Sequence, residues 1–191
     1  MGTFSSNHPL KERLGGRNLY LIGMMGSGKS STAVPLAKML DYKFIDIDEI
    51  IEKSTKKSIQ RIFAEDGESS FRAIEHQVLN EVGQHHSLIV ATGGGVVTNS
   101  ENWGILHQGI VIWLKLHKSD LLKRLKADSN ERPLLQGKEL ASRLDKLLEE
   151  RNQQYSEADL HISIKNESPK EVALTILTKL PSILKSLHDL S

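Results

Sequence analysis

The chain has 191 residues, 38% of them hydrophobic and 26% charged, with a formal net charge of +1, enough length for one domain with a sizeable core. So even a balance carries no nucleic-acid footprint, and no apolar run reaches the ~18 residues of a membrane-spanning helix. There is no cysteine, which excludes disulfides and thiolate metal sites.

Residues 1–17 are polar and aperiodic and lack the apolar core of a secretory signal. They are expected to be a disordered extension ahead of a single domain over 18–191. Asn18-Leu19-Tyr20-Leu21-Ile22 reads as a short buried strand, and Gly23-Met24-Met25-Gly26-Ser27-Gly28-Lys29-Ser30 follows it directly. That octet fits G-x-x-x-x-G-K-[ST], in which glycines let backbone N–H groups turn inward around phosphate oxygens. Ser30 to Leu40 reads as the helix that such a loop opens, with Val34, Ala37, Met39 and Leu40 available for its buried side. Its N-terminus adds free donors and the positive end of a dipole. Lys29 can bridge the outer phosphates, and the Ser30 hydroxyl can join a Mg²⁺ shell.

A second strand, Lys43 to Ile47, ends in the acidic pair Asp46 and Asp48. Strand alternation puts both carboxylates on one side of the chain, beyond the carboxyl end of a strand, where parallel α/β sheets bind ligands. Asp48 could also serve as the N-cap of the helix that follows, a duty compatible with a functional one. Residues 49–80 read as helix broken around Thr55–Ser58 and near Gly67. Arg72 and Glu75 share a face of it, either as a surface ion pair or as part of a site. Ser87 to Ala91 is a third strand, running into Gly93-Gly94-Gly95, which is either a plain turn or a platform that a ligand approaches closely. Gly109 to Leu114 is a fourth strand and 119–126 a helix; residues 127–138 are polar, with Arg132-Pro133 at their heart, and have the composition of a lid. A helix over 139–155 carries Arg143 and Arg151, a fifth strand spans 160–164, and a last helix runs from Pro169 to Leu180. Pro181 is expected to end or kink it, leaving the last ten residues loosely packed. Strands alternating with helices predict a three-layer α/β domain, a P-loop kinase fold with a parallel sheet of about five strands.

A phosphate cradle, a metal-reaching serine, an acidic pair, a glycine platform and spare arginines are the parts of a phosphoryl-transfer site, which works by positioning and charge stabilisation. Asp48 is the candidate to orient or deprotonate an acceptor hydroxyl. Arg72 and Arg151 suit an acidic acceptor, because guanidinium meets carboxylate two-pronged.

On these residues the chain resembles the shikimate kinase family from Asn18 to about Leu180. The resemblance lies in the Gly23–Ser30 loop, Asp46-Ile47-Asp48, Gly67-Glu68 followed by Phe71-Arg72, Gly93-Gly94-Gly95, Arg132-Pro133-Leu134-Leu135, and Arg151 followed by Tyr155. It implies that Gly26, Ser27, Gly28, Lys29, Ser30 and Ser31 hold ATP, with Arg132 over the phosphates and Pro169 beside the adenine. Ser30 and Asp46 would hold one Mg²⁺ per subunit. Asp48, Arg72, Gly93, Gly94, Gly95 and Arg151 would bind shikimate, and Lys29, Asp48 and Arg132 would be catalytic. The implied reaction converts ATP and shikimate to ADP and shikimate 3-phosphate, on the route to chorismate and the aromatic amino acids. The implied protein is cytoplasmic and monomeric, with no nucleic-acid or membrane partner. The chain departs from the family pattern at Ser31 and Ala33, where threonine and glycine are usual, and at Leu125, where many members set an arginine against the adenine. A gluconate kinase shares the fold and loop, but a neutral or differently charged acceptor leaves Arg72 and Arg151 unexplained. A regulatory nucleotide-binding module needs neither the acidic pair nor Arg132.

Overall fold

The most apolar runs of the chain form one parallel sheet. Its strands are β1 (Leu19–Ile22), β2 (Lys43–Asp46), β3 (Leu88–Ala91), β4 (Ile110–Leu116) and β5 (Leu160–Ile164), in the order β2-β3-β1-β4-β5. The structure is a computed structural model that describes residues 9–127, 134 and 139–188. Leu19 pairs with Ile89 on one side and Ile110 on the other, so β1 is the central strand. It is buried throughout, as is β3, which is why both read as unbroken apolar runs rather than alternating ones. The edge strand β5 alternates, with Leu160, Ile162 and Ile164 buried and His161 and Ser163 exposed.

The helices are α1 (Pro9–Leu14), α2 (Lys29–Leu40), α3 (Ile47–Thr55), α4 (Ile59–Glu65), α5 (Gly67–Gly83), α6 (Ser100–Leu106), α7 (Lys118–Ala127), α8 (Leu140–Tyr155) and α9 (Pro169–His188). No described helix is long and apolar enough to cross a membrane. The breaks expected near Thr55–Ser58 and Gly67 are present: Lys56 takes a left-handed conformation, and the Ser58 side chain caps α4 by accepting from the Arg61 N–H. The α2 helix buries Ala33, Leu36, Ala37 and Leu40, spaced for one face, and leaves Val34 exposed, which corrects the expectation for that residue.

Two further corrections concern the ends of the chain. The stretch expected to be disordered contains α1, whose Leu10 and Leu14 are buried and whose Lys11 Nζ pairs with Asp41 Oδ2 at 2.7 Å. Two leucines four residues apart suffice to dock one helical turn, too short a pattern for periodicity to register. Pro181 does not end α9 either, which runs on to His188 with Leu180 and Leu184 both buried. Proline removes one backbone donor, but the face that continues past it still finds the core, and the Arg13 guanidinium donates to the Pro181 carbonyl at 3.3 Å. The two ends of the chain therefore pack on each other. Leu184→Ala should lower the unfolding free energy by about 2–5 kcal/mol in urea titration; a loss of less than about 0.5 kcal/mol would mark the segment as surface.

Candidate active site

The site lies where the strand order reverses, at the carboxyl ends of β1, β2 and β3, the general ligand position of open parallel sheets. The phosphate loop leaves β1 and closes at Gly28, whose φ of 88° caps α2 in the left-handed region that side-chain-bearing residues avoid. Lys29 is then the first residue of α2, and its buried Nζ curls back to donate to the carbonyls of Gly23 at 2.8 Å and Met24 at 3.1 Å. Ser30 and Ser31 follow on the same turn. Together with Gly26, Gly28 and Lys29 they line a cavity of about 400 Å³. Ser27 lies beneath, buried, its Oγ without a hydrogen-bond partner among the described residues.

Asp46 and Asp48 face this cavity, but not through strand alternation. The strand stops at Asp46 and α3 begins at Ile47, so Asp48 sits inside the first helical turn. The helix cap is Asp46: its Oδ1 accepts from the N–H groups of Asp48 at 3.0 Å and Glu49 at 3.4 Å. Its other oxygen, Oδ2, accepts from Ser30 Oγ at 2.5 Å. One carboxylate thus ties the start of α3 to the start of α2. Among the described residues no group of three or more His, Asp or Glu side chains could hold a metal alone. The Ser30–Asp46 pair nevertheless fits a Mg²⁺ ion, a hard cation that takes one or two protein oxygens and shares phosphate oxygens and water for the rest.

Past β3, Thr92 fixes the chain to the central strand, its N–H and Oγ1 both donating to the Leu21 carbonyl. Each glycine of the triplet then meets a different partner at close quarters. A Cβ on Gly93 would collide with Glu75 Oε1 and lie 3.3 Å from Asp48 Oδ1. One on Gly94 would lie 3.1 Å from the Met25 N–H nitrogen of the phosphate loop, and one on Gly95 would run into the Arg72 guanidinium. All three positions are thus crowded by side chains or backbone of the site, beyond what a plain turn requires. A 3₁₀ turn at Val96–Thr98 and α6 hold it from behind, through Asn102 Nδ2 donating to the Val96 carbonyl and Trp103 Nε1 to that of Val97. Sequence reasoning left α6 unassigned, although Asn99, which caps it by accepting from the Glu101 N–H, is an ordinary start signal.

Under the platform lies a cluster of buried charge. Arg72 Nη1 pairs with Glu75 Oε2 at 2.6 Å, and Glu75 is fully buried, so this is no surface ion pair. Burial pushes the Glu75 carboxyl above the usual carboxylate range, against the pull of Arg72 and Arg151. Four residues apart on α8, Arg151 and Tyr155 converge on one acceptor, the Gly94 carbonyl, at 3.2 and 2.5 Å. Burial pushes Tyr155 up to about 12, so its hydroxyl remains a donor at working pH. Arg151 is 3% exposed, and among the described residues it forms no ion pair.

Of the site residues expected from the sequence, the structure brings together the phosphate loop, both aspartates, the three glycines, Arg72 and Arg151. Pro169 opens α9, is exposed and does not line the cavity. Arg132 lies outside the described residues. Glu75 as a buried partner and Arg124, which reaches the cavity from α7, were not singled out, since neither belongs to a spaced motif.

A family model described as shikimate kinase matches residues 25–181. The chain is 56% identical over 177 residues to a shikimate kinase of Prochlorococcus marinus (strain MIT 9313), covering 93% of this chain and 92% of that one. The chain belongs to the shikimate kinase family. In three dimensions it is similar to the shikimate kinase from Acinetobacter baumannii in complex with shikimate, with a TM-score of 0.86 and 37% identity over 90% of this chain and 97% of that one. A gluconokinase from Sinorhizobium meliloti 1021 matches with a TM-score of 0.57 at 17% identity, over 92% and 98% of the two chains, a likeness of fold alone.

As a member of the shikimate kinase family the chain is an enzyme that uses ATP, and the platform geometry yields a test of how it holds its acceptor. Gly95 has an ordinary φ of −106°, so alanine is strained there only by its contact with Arg72. Gly95→Ala should leave the melting temperature near wild type but raise the KM for the acceptor about tenfold or more, the loss expected when a charge-assisted contact is displaced. An unchanged acceptor KM would mean that the third glycine serves the turn alone.

Proposed function

We propose that the chain transfers the terminal phosphoryl group of ATP to the 3-hydroxyl of shikimate, giving shikimate 3-phosphate and ADP. The observation that carries this reading is Arg151, buried against the glycine platform with the Gly94 carbonyl as its hydrogen-bond acceptor and, among the described residues, no carboxylate as partner. A buried guanidinium in that state favours an anion on the substrate, and shikimate supplies a carboxylate. Arg72, steadied by Glu75, provides the second fork. Gluconate carries a carboxylate too, so Arg151 alone does not separate the two acids; the match to the shikimate kinase family favours shikimate, whereas the gluconokinase likeness is one of fold alone.

The roles follow from position. Arg72 and Arg151 take the carboxylate, and the glycine platform lets the ring lie close to the backbone. Asp48 orients the attacking hydroxyl and accepts its proton as the new O–P bond forms. The bond from the γ-phosphorus to the bridging oxygen breaks, and ADP leaves with that oxygen. Lys29 and the loop N–H groups stabilise the charge that spreads over the transferred group. Ser30 and Asp46 would hold Mg²⁺, which when bound neutralises charge on the outer phosphates. Arg132 is assigned to the phosphates and Pro169 to the adenine side by family resemblance. ADP release measured with shikimate, with gluconate and with neither decides the reading: it should require shikimate.

Arg72→Ala and Arg151→Ala should each raise the KM for shikimate about 10- to 150-fold and change that for ATP far less. Equal effects on both substrates would make these arginines supports of the fold. Asp48 separates mechanism from structure, because the helix cap belongs to Asp46. Asp48→Asn should therefore change stability by less than about 1 kcal/mol while kcat falls about 10²- to 10⁴-fold. A near-normal kcat would remove Asp48 from the proton's path.

A further inference from the structure

The glycine platform meets three elements, and each is tied to it by a polar contact. The central strand holds one end through Thr92 and the Leu21 carbonyl, and α8 holds the Gly94 carbonyl through Arg151 and Tyr155. The tie to α5, the helix of Arg72 and Glu75, is made by a histidine. His76 Nδ1 lies 2.7 Å from Asn102 Oδ1, and Asn102 Nδ2 donates to the Val96 carbonyl at 2.8 Å. Among the described residues no other hydrogen bond joins α5 to α6 or to residues 93–98.

The chemistry of Asn102 gives this tie its direction. The residue is buried, and a carbonyl can only accept, so the amide nitrogen must face Val96 and the amide oxygen the imidazole. His76 therefore carries a proton on Nδ1 whether its ring is neutral or charged. Its Nε2 lies 3.7 Å from Glu101, which is largely exposed, a contact worth little in water. What remains is a chain of donors running from imidazole to amide to carbonyl. Removing the first donor would leave Asn102 Oδ1 buried and unpaired.

Both ends of that chain adjoin one contact. His76 sits about one helical turn beyond Arg72. Val96 directly follows Gly95, where a Cβ would run into the Arg72 guanidinium. We propose that His76 is a positioning residue of the acceptor site, acting through Asn102 to set the glycine platform against Arg72. This rests on the acceptor reading above and adds to it a residue that touches no substrate.

Steady-state kinetics and histidine NMR on the full chain test this. His76→Phe keeps a ring and deletes the donor. It should raise the KM for shikimate about five- to tenfold while kcat, the KM for ATP and the melting temperature stay near wild type. His76→Asn, whose amide places an N–H close to the position of Nδ1, should bring that KM back to within about twofold of wild type. An unchanged KM for shikimate in His76→Phe overturns the proposal. So does an equal rise in both KM values, or a His76→Asn variant as impaired as His76→Phe, since either makes the histidine a support of the fold. Nitrogen NMR of isotope-labelled histidine, assigned by the signal that His76→Phe removes, should show the neutral ring with its proton on Nδ1; a proton on Nε2 instead overturns the link to Asn102. That measurement needs no substrate. A wild-type chain that releases no ADP with shikimate would sink the proposed acceptor instead, so the two failures are told apart.

Discussion

The site depends on β1 being held from both sides. A strand with parallel neighbours on each edge has its backbone groups committed, so the point at which it ends is fixed to within the stiffness of the sheet. The phosphate loop starts from that point. Thr92, at the end of the adjacent strand, then bonds twice to the Leu21 carbonyl, placing the glycine platform against the loop, and Arg151 and Tyr155 hold its Gly94 carbonyl from α8. Phosphoryl transfer demands that donor and acceptor meet in line and close together. The spacing of two neighbouring strands brings the triplet against the phosphate loop, with Gly94 thin enough to approach Met25.

A second constraint is electrostatic. Arg72, Glu75 and Arg151 sit together with little access to water, an arrangement whose desolvation penalty commonly exceeds its Coulombic return. As a device for stability it is poor. As a device for binding it is coherent: Glu75 holds Arg72 in place, and Arg151 is left among the described residues with the Gly94 carbonyl and no ion pair. The same carboxylate holds Arg72 through Nη1, and Glu68 takes Nη2 at 3.0 Å. The fork is thereby oriented in advance and little side-chain entropy remains to be lost on binding.

How far these features could be read from sequence depends on the range over which they act. The phosphate loop, the five strands and the breaks at Thr55–Ser58 and Gly67 rest on local pattern, and local pattern was enough. The parts that escaped are set by tertiary contact. Leu10 and Leu14 anchor a turn only because α9 lies alongside, and Pro181 is tolerated only because Leu184 still reaches the core. Glu75 reads as half of a surface pair until the platform covers it. Asp46 and Asp48 share one cavity, though not by strand alternation: the chain turns helical between them, and the capping duty falls on the first. Residue spacing names the groups present; burial decides which of two roles each takes.

Burial also explains how such a site could discriminate. An acceptor of similar shape without a carboxylate would fill the platform yet leave Arg151 desolvated beside a single carbonyl. The loss would then include the unpaired charge as well as the missing contact. That asymmetry lets a site built on polar groups reject a near-isostere far more strongly than an apolar pocket can. The nucleotide side is built differently: Ser30 and Ser31 are exposed, and its donors are largely backbone N–H groups, which accept any phosphate chain of the right length. On the proposed reading, selectivity for the acceptor would come from the buried arginines of α5 and α8, whereas Ser30 and Ser31 of the phosphate loop are exposed.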